Sequence, residues 1–298
     1  MIRWAHVYEP SHALHKWALW ASEQISVKTN RRYIIQVYPS SSLGKEAHIN
    51  QSLSIGTIDI IYTGTSFAAQ VHRPLGISEM PYIFENYSHW QRYVESDLFT
   101  ELADDYKRLS GGNRIVSSTY YGERHLTANR AVLTPSQIDG LKIRVPGAAI
   151  YHLFPQALGA KPSPISFSEV YLAIQQGVVD AQENPLPTIK AKKFYEVQSH
   201  INLTGHILGS IMTVVSNKTL DQLKKEDYQI FLETLRQASA FASKEIRQKE
   251  IELVSWFSQQ GIKVNNVDRA SFRHQVMTHY TQSTFPFNRD VYDRIQSL

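Results

Sequence analysis

Apolar residues recur at helical spacing from Pro10 to about Ile25, with Leu14, Trp17, Ala21 and Ile25 on one side and Ser11 ahead of them as the expected N-cap. The spacing predicts an amphipathic helix. From Tyr33 to Tyr38 the pattern is that of a strand, closed by Pro39 and three serines. A second helix is expected from about Gly44 to Ile55, ended by Gly56, and Ile58 to Tyr62 reads as the next strand. This alternation of helices and strands is that of an α/β protein.

The same grammar returns further along. Ile49, Leu53, Ile55, Gly56 and Ile58-Asp59 are echoed by Val170, Leu172, Ile174, Gly177 and Val179-Asp180. Each glycine suits a left-handed helix end and each following segment a buried strand. The pattern is either one supersecondary unit used twice, in two related lobes, or a chance echo. Between the copies, Ile115 to Tyr121 reads as a strand passing from one lobe into the other, with Gly122 at its end. From Glu226 to Gln260, Ile230, Leu235, Ala238, Ala242, Ile246, Leu253 and Phe257 keep near-helical steps, with no Pro or Gly before Gly261. Such a helix is about 50 Å long, more than one small domain measures, and is expected to lie along both lobes.

Composition removes several classes of function. With 298 residues, 42% of them hydrophobic, the chain can build a sizeable core, which excludes disorder. No apolar run exceeds about five residues, far short of a membrane span. The absence of cysteine excludes disulfides, thiolate zinc sites and cysteine nucleophiles. The net charge of +4 comes from scattered basic residues, with only short clusters such as Lys192-Lys193 and Lys224-Lys225, so no nucleic-acid partner is expected. The opening Met1 to His6 lacks the marks of a signal peptide, so the protein is cytosolic or its leader has been replaced by a start Met.

No cofactor is expected, because neither a P-loop nor a G-x-G-x-x-G is present. No metal is expected either: His12 and His15 lie one turn apart, but no H-E-x-x-H or nearby carboxylate completes a site, and they read as surface or loop histidines. Gly64-Thr65-Ser66-Phe67-Ala68 lacks the last glycine of a nucleophile elbow, and the S-x-x-K pattern Ser42 to Lys45 has no companion motif.

What remains is a set of polar residues at element ends: Arg124, Arg144 and Asn184. In Leu141-Lys142-Ile143-Arg144-Val145 apolar and basic residues alternate, and Pro146-Gly147 ends the strand at once. The Arg144 guanidinium therefore leaves on the face opposite the apolar residues, near a strand end, where α/β folds place ligands. Its fork of coplanar donors matches the two oxygens of a carboxylate. Spacing alone favours the alternative, a surface ion pair.

Three stretches carry a family resemblance: Gly140 to Pro146 (GLKIRVP), Phe167 to Ala173 (FSEVYLA) and Gly177 to Leu186 (GVVDAQENPL). Tyr38 to Gly44, Pro81-Tyr82-Ile83-Phe84 and Lys193 to Gln198 add to them. The chain resembles the substrate-binding proteins of TRAP (tripartite ATP-independent periplasmic) transporters from about Ile2 to beyond Val264. The resemblance implies an α/β, two-lobed periplasmic-binding-protein fold of type II kind, with a long helix spanning both lobes. Residues 1–121 plus 210–249 are expected as the first lobe and 122–209 plus 250–298 as the second, with the ligand cleft between them. It also implies no enzymatic activity, a periplasmic location with the leader removed, a monomer, and membrane permease subunits as partners.

In that family the arginine of the L-K-I-R-V-P motif, here Arg144, grips the ligand carboxylate with two prongs. The resemblance further assigns Arg124 and Asn184 to the carboxylate or an adjacent hydroxyl, and Phe167 to the apolar wall beneath the ligand. Sialic-acid binders carry a glutamate where this chain has Gly64 and an asparagine where it has His6, which disfavours sialate. Arg124-His125, the first-loop set His6, Glu9 and His12, and His89-Trp90 look more like hexuronate binders, for glucuronate or galacturonate. His6, Glu9, Glu46 and Asn184 are the expected partners of sugar hydroxyls. Other aldonates, C4-dicarboxylates and 2-oxo acids are the alternative ligands. From other classes, a sugar-acid enzyme would need His125 or Glu183 as acid or base without a paired constellation, and a ligand-sensing partner of a receptor kinase would use the same fold.

Overall fold

Both helix-glycine-strand segments form, and each pins a neighbouring parallel strand in the same way. The computed structural model describes residues 1–282 and 287–298. The chain opens with β1 (Ile2–Ala5), α1 (Ala13–Lys28), β2 (Ile35–Tyr38), α2 (Glu46–Ser54), β3 (Ile60–Gly64) and α3 (Thr65–Ala68). Then come α4 (Tyr87–Glu95), α5 (Asp97–Leu109), β4 (Arg114–Ala128), β5 (Lys142–Val145), α6 (Leu153–Ala157) and β6 (Lys161–Pro164). α7 (Val170–Gln175), β7 (Ala181–Pro185), α8 (Leu186–Ala191), β8 (His200–Val215) and α9 (Asn217–Asp221) follow. α10 (Lys225–Gln259), β9 (Lys263–Asn265), α11 (Arg269–Gln282) and α12 (Arg289–Gln296) complete the chain.

The chain divides into two compact units, residues 1–75, 94–121 and 210–247, and residues 76–93, 122–209 and 248–298. It passes from one to the other within β4, β8 and the 35-residue α10. Residues 76–93, expected with the first lobe, belong instead to the second unit. The reason is local bonding: Tyr82 N–H donates to the His206 carbonyl at 2.8 Å, Tyr151 Oη donates to Glu79 at 3.2 Å, and Gln296 Nε2 donates to the Ile83 carbonyl at 2.8 Å.

In the first unit β1 runs parallel to β2 and β3, and β3 pairs antiparallel with residues 211–215 of β8. Helix α1 starts at Ala13, and its cap is His12, not Ser11: the buried His12 ring accepts the Leu14 N–H through Nδ1 at 3.2 Å. Apolar positions Leu14, Ala18, Ala21 and Ile25 are fully buried, as their spacing requires. Trp17 is only partly covered, in tilted contact with Phe241 and donating to Glu245 at 2.8 Å.

In the second unit β5 runs parallel to β6 and β7, and β7 pairs antiparallel with residues 124–128 of β4. A core of Val170, Ile174, Leu186, Ile189, Phe194, Ile201 and Phe257 lies against α7 and α8.

The repeat is visible in bonds. After Gly56 (φ +70°), Asp59 accepts the Arg3 N–H on a side-chain oxygen at 2.7 Å and donates its own N–H to the Arg3 carbonyl at 3.1 Å. After Gly177 (φ +68°), Asp180 does the same to Lys142, at 2.8 and 2.9 Å. Gly122, expected as a strand end, lies inside β4 with φ +115°. The strand continues because Glu250 Oε1 accepts the Glu123 N–H at 2.5 Å and holds the bend.

Candidate functional site

Register decides which side chains of the second unit share a face. Thr127 and Arg144 both lie opposite Gln182 of β7, and His125 lies opposite Asn184. Side chains directly opposite one another leave a sheet on the same side, and residues two apart do so as well. Arg144, Gln182, Asn184, Thr127 and His125 therefore occupy one face. Arg124 lies opposite Pro185 and shares the other face with Glu183.

Arg144 is 2% exposed, so it is not a surface ion pair. Its Nε and Nη2 both donate to the Ile165 carbonyl, at 2.9 and 2.7 Å, which fixes the plane of the guanidinium. The ring of Phe167, packed edge-on to Phe194, lies 5.9 Å from the Arg144 Cζ, and Lys192 Nζ lies 5.1 Å from the same ring. Phe167 thus carries two cations close to its ring, one expected from sequence and one, Lys192, that the motif reading overlooked.

Asn184 Nδ2 donates to Gln182 Oε1 at 2.6 Å, and Gln182 Nε2 donates to Thr127 Oγ1 at 2.9 Å. Thr127 Oγ1 donates to Gln198 Oε1 at 2.8 Å, and Gln198 Nε2 donates to the Asp180 carbonyl at 3.2 Å. Sequence reasoning named Asn184 but not Gln182, Thr127 or Gln198, the residues bonded in series with it. The signal was the spacing Gln182-Glu183-Asn184, which puts two amides on one face of a strand.

Arg124 is held by the protein's own carboxylate. Its Nε donates to Glu183 Oε2, and its Nη2 donates to Glu183 Oε1 at 2.7 Å and to the Glu183 carbonyl at 2.9 Å. The Tyr151 ring lies 5.0 Å from its Cζ, and His206 Nε2 stands 3.4 Å from Glu183 Oε2. Burial pushes the Glu183 carboxyl up, but the charge and hydrogen bonds of Arg124, joined by His206, outweigh it and hold it down at about 2. His125 is buried and driven well below its ordinary value by desolvation and by Arg269; its Nδ1 accepts the Gly205 N–H at 3.0 Å.

In the first unit His6, Glu9, Glu46 and Gly64 are each engaged by neighbouring groups. Glu46 Oε1 accepts the Gly64 N–H at 2.7 Å and the Thr63 hydroxyl at 3.1 Å, so these expected residues touch each other. Glu9 Oε2 accepts the Ser40 hydroxyl at 2.8 Å. His6 is buried with both ring nitrogens engaged: Nδ1 accepts the Tyr8 N–H at 3.2 Å, and Nε2 faces His15 Nδ1 at 3.0 Å. Since His6 Nδ1 accepts, the proton of the neutral ring is on Nε2 and is donated to His15. Burial, then the neighbouring His15 and His12, lower the His6 pKa to about 3. His12 and His15, expected at the surface or in loops, are buried beside it. They make no metal site: among the described residues no group of three or more His, Asp or Glu is arranged to hold a cation.

Comparison with known proteins adds what geometry cannot. The sequence profile of the bacterial extracellular solute-binding proteins, family 7, matches residues 4–285. The chain is similar to the sialic acid-binding periplasmic protein of Vibrio cholerae, with 32% identity over 265 residues, covering 89% of this chain and 82% of the relative. It is similar in structure to a TRAP periplasmic solute-binding protein from Polaromonas bound to D-erythronate, with a TM-score of 0.93 and 27% identity, covering 100% of this chain and 98% of the other. A TRAP periplasmic solute-binding protein from Roseobacter denitrificans with bound L-galactonate gives a TM-score of 0.92 and 26% identity, covering 99% and 97%. Among the described residues no helix is long and apolar enough to cross a membrane.

Proposed function

Because the chain belongs to the bacterial extracellular solute-binding proteins of family 7, which bind substrates and are not enzymes, we propose that it is the periplasmic receptor of a TRAP transporter for a sugar acid. It hands its ligand to the membrane permease subunits. The observation that carries the reading is Arg144, a buried guanidinium whose plane is set by one backbone carbonyl and which lies on the same strand face as Asn184 and Gln182. A buried cation held in one orientation favours a carboxylate by charge and by shape together. The polar face around it suits hydroxyls, each of which costs about 1–3 kcal/mol when buried without a partner. The erythronate and galactonate of the two solved neighbours are acids of this kind. Glucuronate and galacturonate, the hexuronates the sequence favours, are the first ligands to test.

The test is a thermal-shift panel of D-glucuronate, D-galacturonate, L-galactonate, D-erythronate, sialate, C4-dicarboxylates and 2-oxo acids, followed by calorimetry on every hit. A cognate acid at 100 times its Kd stabilises the protein by about 2.7 kcal/mol. Arg144→Ala is expected to weaken binding of that acid at least about 100-fold, because the loss of a buried partner costs about 3–5 kcal/mol. A response to dicarboxylates alone overturns the sugar-acid reading. An Arg144→Ala protein that binds within threefold of the natural one overturns the anchoring role.

A further inference from the structure

The loop of residues 6–12, which joins β1 to α1, is fastened through its backbone and through one side chain. On the backbone side, His6 N–H donates to the Tyr38 carbonyl at 3.0 Å, and the Ser41 and Ser40 N–H groups donate to the His6 and Tyr8 carbonyls at 3.1 and 2.9 Å. Both serines hold left-handed backbone angles, φ +60° and +53°, which cost a non-glycine residue free energy and persist only where the surroundings enforce them. On the side-chain side, the His6 ring stands between the Tyr8 N–H and His15 of α1. A backbone N–H can only donate, so His6 Nδ1 accepts, the ring proton is on Nε2, and His15 Nδ1 takes it. These two bonds are satisfied by one ring proton and have no place for a second. A proton added to His15 Nδ1 meets the one on His6 Nε2. Moving the His6 proton to Nδ1 relieves that clash but sets it against the Tyr8 N–H. With one extra proton the His6 ring keeps one of its two bonds and loses the other.

The groups around the pair raise the cost of a second proton. The charges acting on His6 are those of His15 and His12, and the rings of Tyr8 and of Tyr62 in β3 lie 6.0 and 5.8 Å away. Tyr121 of β4 packs on Tyr8 and His12 at 5.5 and 6.0 Å. Glu9 of the loop is bonded to the Ser40 hydroxyl at 2.8 Å, and Glu245 of α10 to Lys16 and Trp17 of α1 at 2.7 and 2.8 Å. Burial above all lowers both rings, His6 to about 3. At 8% exposure against 1% for His6, His15 is where the proton enters. We infer that His6 and His15 form a proton-operated latch: uptake of one proton at His15 unfastens Tyr8, loosens residues 6–12 while the rest of the first unit stays folded, and weakens the hold on the sugar acid as the medium turns acid. The last step rests on the sugar-acid reading above, in which Glu9 of this loop is an expected partner of sugar hydroxyls.

Two readouts test this on the full chain. The first needs no ligand. In nitrogen-15 NMR spectra at pH 7.5 both rings are expected as the Nε2–H tautomer, and an Nδ1–H tautomer on either ring overturns the inference. As pH falls toward 4.5, the amide signals of Tyr8, Ser40 and Ser41 are expected to move together in one step while the near-ultraviolet circular dichroism stays native. His15→Asn, whose Oδ1 replaces Nδ1 as an acceptor that takes up no proton, is expected to keep the amide positions of pH 7.5 and to lose the step. No step in the natural protein, a step that coincides with loss of the native dichroism, or an unchanged step in His15→Asn overturns the inference whatever the ligand proves to be. Should His15→Asn fail to fold, the tautomers and the step of the natural protein decide. The second readout is calorimetry with L-galactonate at pH 7.5 and 4.5, where a carboxylate with a pKa of about 3.5 stays ionised. The natural protein is expected to bind about tenfold more weakly at pH 4.5, the worth of one hydrogen bond, and His15→Asn to bind alike at both. Equal pH dependence in the two proteins overturns the coupling to ligand while sparing the sugar-acid reading. If neither L-galactonate nor any other acid of the panel binds, the sugar-acid reading fails and the coupling with it, and the spectra alone decide the latch.

Discussion

Arg124 and Arg144 carry the same charge within one unit, and their neighbours give them different work. Arg144 is tied to the Ile165 backbone carbonyl, whereas Arg124 is tied to the buried Glu183. Glu183→Gln leaves the Arg124 charge buried without its counterion and is expected to cost about 3–5 kcal/mol at neutral pH, read as a lower urea midpoint. Replacing both residues with apolar ones of similar size is expected to recover most of that loss. The pH dependence has a definite sign. A carboxyl held at about 2, below its unfolded value, contributes stability that is present above the ordinary carboxylate range and is lost as pH falls toward 2. The acid limb of the stability curve should be shallower in Glu183→Gln; equal limbs would show that the pair is not the cause. The sequence made Arg144 legible because alternation and a Pro-Gly stop act within six residues. It could not reveal the Arg124 partner, because the register of two strands some sixty residues apart is a tertiary fact.

At the level of elements, the repeated helix-glycine-strand unit was readable from residue pattern, and the structure explains what the two aspartates do in it. Counting from them, Ala5, Ile61 and Thr63 of the first copy stand where Arg144, Gln182 and Asn184 stand in the second. Two of these three positions are apolar in the first copy, and all three are polar in the second. The first turn of α1 was misread at its cap for a physical reason: an imidazole nitrogen accepts an N–H as well as a serine oxygen does, but only when the ring is neutral. The His6-His15 bond has the same requirement. Both rings titrate below their ordinary value, chiefly through burial, so their contribution to stability is complete above pH 6.5 and declines as pH falls toward 3. His6→Asn is expected to lower stability at pH 7 but to flatten the decline between pH 6.5 and 4, measured by urea titration. In β4, Gly122→Ala is expected to cost more than the roughly 1–2 kcal/mol of its backbone conformation. Its Cβ would fall 2.8 Å from the Pro185 Cβ and 2.7 Å from the Glu250 oxygen that holds the bend. Gly177→Ala, with open space around it at φ +68°, bears only the conformational cost, and the two melting temperatures compare them directly.

For the whole molecule, composition and the long apolar periodicity of α10 were enough to exclude a membrane span and a disordered chain, whereas the assignment of residues 76–93 was not. That segment is joined to the second unit by bonds to Tyr151, His206 and Gln296, all far away in sequence, and no local pattern encodes them. Each unit is assembled from three separate stretches of chain. A fragment of residues 1–121 lacks the part of β8 that pairs with β3, and is expected to show no cooperative melting transition by near-ultraviolet circular dichroism. The same threading bears on synthesis. The first unit stays incomplete until Arg247 of the 298 residues has left the ribosome, so a nascent chain has little opportunity to lock into its final form early.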